Sequence, residues 1–262
     1  MRAELMRLDL RLRRRSLWAC ALGFGAYAVL IVLLYPSFRG DRSLDRLAEG
    51  NPTMAALFGL SGSLTSPAGW LNANLYANVV PLFALLLSIG YGAAAVAGQN
   101  EEEHLGLIAA LPVSRTSLML QKQAALAVVS IPVAGVTYVA VLAGRTVGLR
   151  LAVAPLTSAS AGVVLLAYDF GVLALALGCL TGSRGLSLGV ASALAAASYL
   201  MSSLAGVVDW LHDLRHLSPI YWSVGQDQIV KGLAPGSFAA LVIAGVLLSS
   251  VAVWAFRRLD LR

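Results

Sequence analysis

Long runs of apolar residues dominate this chain, and they decide the solvent in which it can fold. Of the 262 residues, 58% are hydrophobic and only 12% are charged, and the mean hydropathy is +0.78. About a quarter of the residues of a soluble domain are charged, whereas a helix needs about 20 apolar residues to cross a bilayer. The sequence therefore predicts an all-α integral membrane protein with a single domain.

Six apolar runs come near the length needed to cross a membrane. The predicted spans cover residues 17–35, 79–97, 124–143, 155–180, 186–208 and 238–256. An even number of spans places both termini on the same side. If that side is the cytoplasm, most of the 19 lysine and arginine residues lie on cytoplasmic pieces, as the positive-inside rule requires. We therefore predict cytoplasmic N- and C-termini, and the net charge of +6 gives no reason to expect a nucleic-acid partner.

Two segments outside the spans are amphipathic. Residues 1–16 put Leu5, Leu8 and Leu12 on one helical face and arginines around the other, which predicts a cytoplasmic helix lying in the lipid headgroup layer. The alternative is a basic flank that only orients the first span. Residues 209–235 form an outer segment, aromatic enough to dip into the membrane interface.

A charged stretch, residues 98–122, separates the second and third spans on the predicted cytoplasmic side. Acidic residues open it and suit the positive end of a helix dipole, and an apolar stripe at helical spacing follows them. Pro112 should end this short helix, and Ser114 should cap the next one. We expect a short helix and a corner, which would let the stretch contact another protein. An ordinary loop lying flat on the membrane is the alternative.

Asp169, beside Tyr168, lies in the middle of the fourth span. A charged side chain is costly at that depth and by default indicates function. Asp169 and Tyr168 are therefore candidates for lining a substrate path or for binding a cation. A protonated or hydrogen-bonded structural aspartate is the other interpretation.

His212 and His216 stand one helical turn apart in the outer segment. This is the spacing of zinc metalloproteases, but Asp213 occupies the place of the glutamate that serves as their general base, and no third ligand is near. A solvated amphipathic helix is the other interpretation of this spacing, and a membrane metalloprotease is the alternative that it leaves open. Cys20 and Cys179 both lie within apolar runs and suggest neither a disulfide framework nor a metal site.

The chain has no motif for binding ATP. A phosphate-binding loop needs a glycine-rich turn followed by lysine and serine or threonine. The two lysines, Lys122 and Lys231, follow Gln121 and Val230 and match no such turn. We therefore expect no catalytic site, no cofactor and no metal on this chain.

Several short motifs, in this order among six spans, resemble the ABC-2 type transporter permeases. The most specific is Leu111-Pro112-Val113-Ser114-Arg115 with Lys122 after it, which resembles the first cytoplasmic loop of that family. The others are Tyr35-Pro36-Ser37, Ser66-Pro67-Ala68-Gly69-Trp70-Leu71-Asn72, Leu217-Ser218-Pro219 with Tyr221, and Arg257-Arg258-Leu259-Asp260-Leu261. Where family members often carry Gly-Thr, this chain has Glu103 and His104.

The resemblance implies the membrane half of an ATP-driven exporter of drugs, lipids or other amphiphiles in the bacterial plasma membrane. Two permease subunits, alike or different, would pair in the lipid, and each would rest on a cytoplasmic ATPase that holds ATP and Mg²⁺. The helix within residues 98–122 would be the coupling helix. The residues implied to contact the ATPase are Glu101, Glu102, Glu103, His104, Leu105, Leu107, Ile108, Pro112 and Arg115. An ion-coupled secondary transporter that depends on Asp169 is the main alternative.

Overall fold

The computed structural model describes residues 4–39, 63–101, 114–205, 208–225 and 227–258, and within these ranges the chain is helical without strands. Six helices in these ranges are long and apolar enough to cross a membrane. They are α1 (Glu4–Phe38), α2 (Pro67–Gly98), α3 (Arg115–Val147), α4 (Val153–Thr181), α5 (Arg184–Leu204) and, after three short helices, α9 (Pro235–Arg258). The chain is a multi-pass membrane protein, as its composition predicts.

Helix α1 differs from the expectation of a separate helix over residues 1–16. It runs without a break from Glu4 to Phe38, so the basic segment continues straight into the first span. The physical reason is local, because arginine and leucine are strong helix formers and the only proline, Pro36, lies in the last turn. At a rise of 1.5 Å per residue, α1 is about 52 Å long and exceeds the roughly 30 Å hydrocarbon core of a bilayer.

Helix α2 begins earlier than predicted, at Pro67 rather than at residue 79. Ser66 caps its start, with the side chain accepting a hydrogen bond from the Gly69 amide. A wider, π-helical segment, Asn72–Tyr76, contains two asparagines, and a second π-helical segment, Ala94–Gly98, lies near the other end of α2. The helical chain then continues through Gln99–Glu101.

Helix α3 begins where the sequence predicts. Ser114 is its N-cap, and its side chain accepts a hydrogen bond from the Ser117 amide. The described part of the predicted stretch 98–122 is therefore helix at both ends, while residues 102–113, which include the predicted coupling helix, lie outside the described residues. A break at Ser130 divides α3, and Pro132 lies in the first turn of its second half, where its missing amide costs nothing.

Helix α4 is the centre of the bundle. It is the most buried of the six spans and packs against α2 and α9, whereas α1, α5 and α9 each keep most of their surface outside the core. Gly92 of α2 and Gly171 of α4 permit the closest approach: a Cβ on Gly92 would stand 2.0 Å from the Gly171 carbonyl oxygen. Small residues bring membrane helices together in this way.

The described part of residues 209–235 contains three short α-helices, α6 (Asp209–Leu214), α7 (Pro219–Val224) and α8 (Gln228–Lys231). Ser218 caps α7, and its hydroxyl is also hydrogen-bonded to Ser198 of α5 at 2.8 Å. This segment therefore packs against the bundle instead of extending away from it. The opposite end contains the starts of α1, α3 and α5 and the ends of α2, α4 and α9, and we call it the basal end.

Candidate functional site

A groove of about 630 Å³ lies between α3, α4 and α9. Most of its wall is apolar, with residues such as Leu120, Leu165 and Val246. Polar groups lie along it, from Thr116 and Arg257 at the basal end to Asp169 farther in. An apolar cleft with a few convergent polar groups is the usual form of a small-molecule site. We call it the Asp169 groove.

Asp169 is buried, with 4% of its surface exposed. Neither of its carboxyl oxygens has a hydrogen-bond partner among the described residues. Gly245 of α9 lies directly against it, since a Cβ on Gly245 would stand 2.6 Å from Asp169 Oδ1. Buried carboxyl groups are normally hydrogen-bonded, so an unsatisfied one in a membrane helix marks a functional candidate.

The environment of the Tyr168 side chain differs from that of Asp169. Its hydroxyl is hydrogen-bonded to Ser249 Oγ at 3.0 Å, which ties α4 to α9. Gln123 Nε2 donates to the backbone oxygen of the same Ser249, also at 3.0 Å, which ties α3 to α9. The sequence predicts a role for Tyr168 but not for Gln123 or Ser249. Ser249 is a polar residue within the last apolar run, whereas Gln123 follows Gln121 and Lys122 just before the third predicted span.

Two of the predicted ATPase-contact residues are described, and each is bound to a membrane helix. Glu101 Oε1 accepts a hydrogen bond of 2.8 Å from the Arg184 amide at the start of α5. Arg115 Nη1 donates one of 3.3 Å to the backbone oxygen of Arg257 at the end of α9. The remaining members of the predicted set lie outside the described residues: Glu102, Glu103, His104, Leu105, Leu107, Ile108 and Pro112.

A buried polar cluster at the basal end joins the first three spans. The Lys122 ammonium donates to Gln99 Oε1 at 2.7 Å and lies 3.7 Å from Asp9 Oδ2. The Tyr91 hydroxyl donates to the same carboxylate at 3.2 Å, and the Arg13 guanidinium lies over the Tyr91 ring. The sequence predicts Lys122 at the edge of the charged stretch 98–122. Instead, its side chain is 3% exposed and pairs with α1 and α2.

Within the part of the chain that the structure describes, His212 and His216 are not brought together with further ligands. The ring of His212 contacts Arg215, and that of His216 lies edge-on to Tyr221. The helix narrows to a 3₁₀ turn at Arg215, which alters the one-turn spacing. Among the described residues, no group of three or more histidine, cysteine, aspartate or glutamate side chains is placed to hold a metal ion.

Comparison with known proteins adds no family assignment. No model of a known protein family matches the chain, and no curated protein matches it either. The features of the chain that bear on its function are therefore the Asp169 groove and the contacts at the basal end.

Proposed function

We propose that this chain is the membrane subunit of an ATP-driven exporter of the ABC-2 type. It would lie in the bacterial plasma membrane with cytoplasmic termini, pair with a second permease subunit and take its energy from a separate ATPase. The observation that carries the proposal is a pair of contacts made by Glu101 and Arg115, two described residues on either side of residues 102–113. Glu101 is bound to α5, and Arg115 is bound to α9.

These two contacts support a mechanical role for residues 102–113. A force on residues 102–113 acts directly on the ends of α2 and α3, which enter and leave it. Through Glu101 the force reaches the start of α5, and through Arg115 it reaches the end of α9. Because packed helices move as rigid bodies, a small shift at these ends is transmitted along their whole length. Movement of α3 and α9 relative to α4 then changes the width of the Asp169 groove.

The chemistry of the groove favours an amphiphile as the substrate. Its long apolar wall suits a hydrocarbon or aromatic body, such as that of a drug or a lipid, because burying apolar surface is favourable at about 25 cal/mol per Å². Among the described residues of the wall, Asp169 is the one acidic side chain, and it is therefore the one that can carry a negative charge. It would face a cationic or hydrogen-bond-donating group of the substrate.

The test is transport by the chain reconstituted in proteoliposomes with the ATPase that copurifies with it. Glu101→Lys reverses the charge and removes the acceptor for the Arg184 amide, and we expect it to lower ATP-driven transport at least tenfold with normal membrane insertion. Glu101→Gln keeps an acceptor oxygen and should keep most activity. Asp213→Lys, an equal charge change on the exposed surface of α6, is the matched control. Undiminished transport in the Glu101→Lys protein contradicts the proposal.

One observation favours a second candidate, an ion-coupled secondary transporter. The Asp169 carboxyl is buried in the middle of α4 without a described hydrogen-bond partner, and proton-coupled carriers use such groups as relays. This candidate predicts transport by the chain alone under an ion gradient, abolished in Asp169→Asn. The exporter proposal predicts that the chain alone moves no substrate and that transport requires both ATP and the ATPase.

A further inference from the structure

A second groove, of about 640 Å³, lies on the other side of the bundle between α1 and α3. Its α1 wall is one continuous helical stripe. Arg7, Arg11 and Arg14 form the basal part of this stripe, and Trp18 and Ala21 continue it toward the membrane interior. These positions are spaced by three or four residues, so they share one face of the helix. The groove thus changes from basic to apolar along its length.

The three arginines are open to ligands from outside the chain. All three are exposed, and none forms an ion pair or a hydrogen bond with another described residue. Arg13, on another face of the same helix, is engaged differently, with its guanidinium 4.9 Å from the centre of the Tyr91 ring. Three guanidinium groups side by side repel one another, and an anion between them relieves that repulsion.

The opposite wall leaves room for a chain-shaped ligand. Helix α3 breaks at Ser130, and Pro132 follows in the first turn of its second half. Gly135 then adds no side chain, and a Cβ there would meet only Ile131 of its own helix, at 3.6 Å. From Arg7 to Ala21, α1 rises about 21 Å. That length is enough for a headgroup and most of one leaflet of a core about 30 Å thick.

We propose that this groove binds one anionic phospholipid of the surrounding bilayer. Its phosphate lies between Arg7, Arg11 and Arg14, and one acyl chain lies along Trp18 and Pro132. The change from a basic to an apolar wall along the groove favours this occupant, since a lipid has its negative charge at the interface and its hydrocarbon chains deeper in the membrane. A free anion would occupy only the basic part, and the apolar part would stay unfilled. This lipid binding does not depend on the proposed transport function.

Native mass spectrometry of the purified full-length chain tests the proposal. We expect one tightly bound phosphatidylglycerol and much weaker binding of phosphatidylcholine, which carries no net charge. Each basic residue near an anionic lipid surface strengthens binding about fivefold. The double variant Arg11→Gln/Arg14→Gln should therefore bind phosphatidylglycerol about 25-fold more weakly. The control Arg15→Gln/Arg150→Gln removes the same charge at exposed positions outside the groove and should bind normally.

Tryptophan fluorescence locates the acyl chain independently. Phosphatidylglycerol with brominated chains should quench the wild type more than the Trp18→Phe variant, because Trp18 lies in the groove. Equal binding of the two lipids, or equal losses in the groove variant and the control, overturns the proposal. So does competition by inorganic phosphate at the concentrations at which the lipid binds, which would indicate a free-anion site. Loss of a protein dimer with unchanged lipid binding in the groove variant overturns it as well, because the occupant would be a second copy.

Discussion

The contact between Gly92 of α2 and Gly171 of α4 gives a prediction whose size follows from the structure. In Gly92→Ala the new methyl group would stand 2.0 Å from the Gly171 carbonyl oxygen. An ordinary contact begins near 3.4 Å, so the two helices must separate by about 1.4 Å. The obstacle is backbone, and no side-chain rotation relieves it. Overpacking of this kind costs about 1–3 kcal/mol, and we expect the upper part of that range.

Gly90 provides the matched control, two residues earlier on the same helix. A Cβ there meets nothing within 4 Å. Alanine is favoured over glycine within a helix by about 0.5–1 kcal/mol, so Gly90→Ala should leave stability unchanged or raise it. Gly171→Ala should be intermediate, because its closest neighbour, at 2.6 Å, is the flexible end of the Leu126 side chain. The predicted order of destabilisation is Gly92, then Gly171, then Gly90.

Unfolding of the three variants by SDS in mixed micelles, followed by tryptophan fluorescence, measures this order. The contact also bears on the proposed function, since Asp169 lies two residues before Gly171 on α4. Displacing α4 from α2 shifts Asp169 against α9, so the proposed transport should fall in Gly92→Ala even at temperatures where the variant stays folded. A Gly92→Ala protein as stable as Gly90→Ala would refute the reasoning, because it would mean that the two helices do not approach this closely.

Two further predictions concern contacts that tie the spans together. Lys122→Met leaves the Asp9 carboxylate without its ion pair and should destabilise the protein by about 1–3 kcal/mol, below the 3–5 kcal/mol of a fully buried pair because Asp9 is 16% exposed. Lys122→Met/Asp9→Asn should recover most of that loss in the same unfolding assay, and an additive double variant would contradict the pairing. Trp70→Phe removes the 3.0 Å hydrogen bond from the indole to the Ile31 carbonyl and should cost about 1–2 kcal/mol. Trp210→Phe, at a position 69% exposed, should leave the free energy of unfolding almost unchanged. Equal losses of stability in the two variants would show that the hydrogen bond does not account for the effect.

The elements that sequence predicts well are those decided by local chemistry. Apolar length identifies six spans, because the bilayer sets a minimum apolar length for every helix that crosses it. Ser114 after Pro112 predicts the start of α3, and the structure confirms it, because an N-cap depends only on adjacent backbone. The position of Asp169 within an apolar run likewise marks the candidate site. Each of these features can be recognised from neighbouring residues in the sequence alone.

The early start of α2 could not be predicted, since long-range contacts decide it. Three asparagines between Pro67 and residue 79 give this part the composition of a loop. The helix forms there because the Trp70 indole donates to Ile31 of α1 and the Tyr76 hydroxyl is hydrogen-bonded to Ser160 of α4 at 2.8 Å. These hydrogen-bond partners are distant in sequence, and no local sequence pattern predicts the contacts. The same is true of Lys122 and Asp9, which meet only because α1 continues through the basic segment.

Helix α3 connects the basal end with the Asp169 groove more directly than any other element. Lys122 binds Gln99 of α2 and lies against Asp9 of α1. The next residue, Gln123, donates to Ser249 of α9 within the groove. Consecutive residues on a helix project about 100° apart, so one turn of α3 contacts three other spans on two sides. A rotation or shift of α3 that keeps the Gln99 contact must therefore strain the Ser249 contact, or move α9 with it. For this reason a force applied at Arg115, at the start of the same helix, cannot act on the basal cluster without also acting on the groove wall.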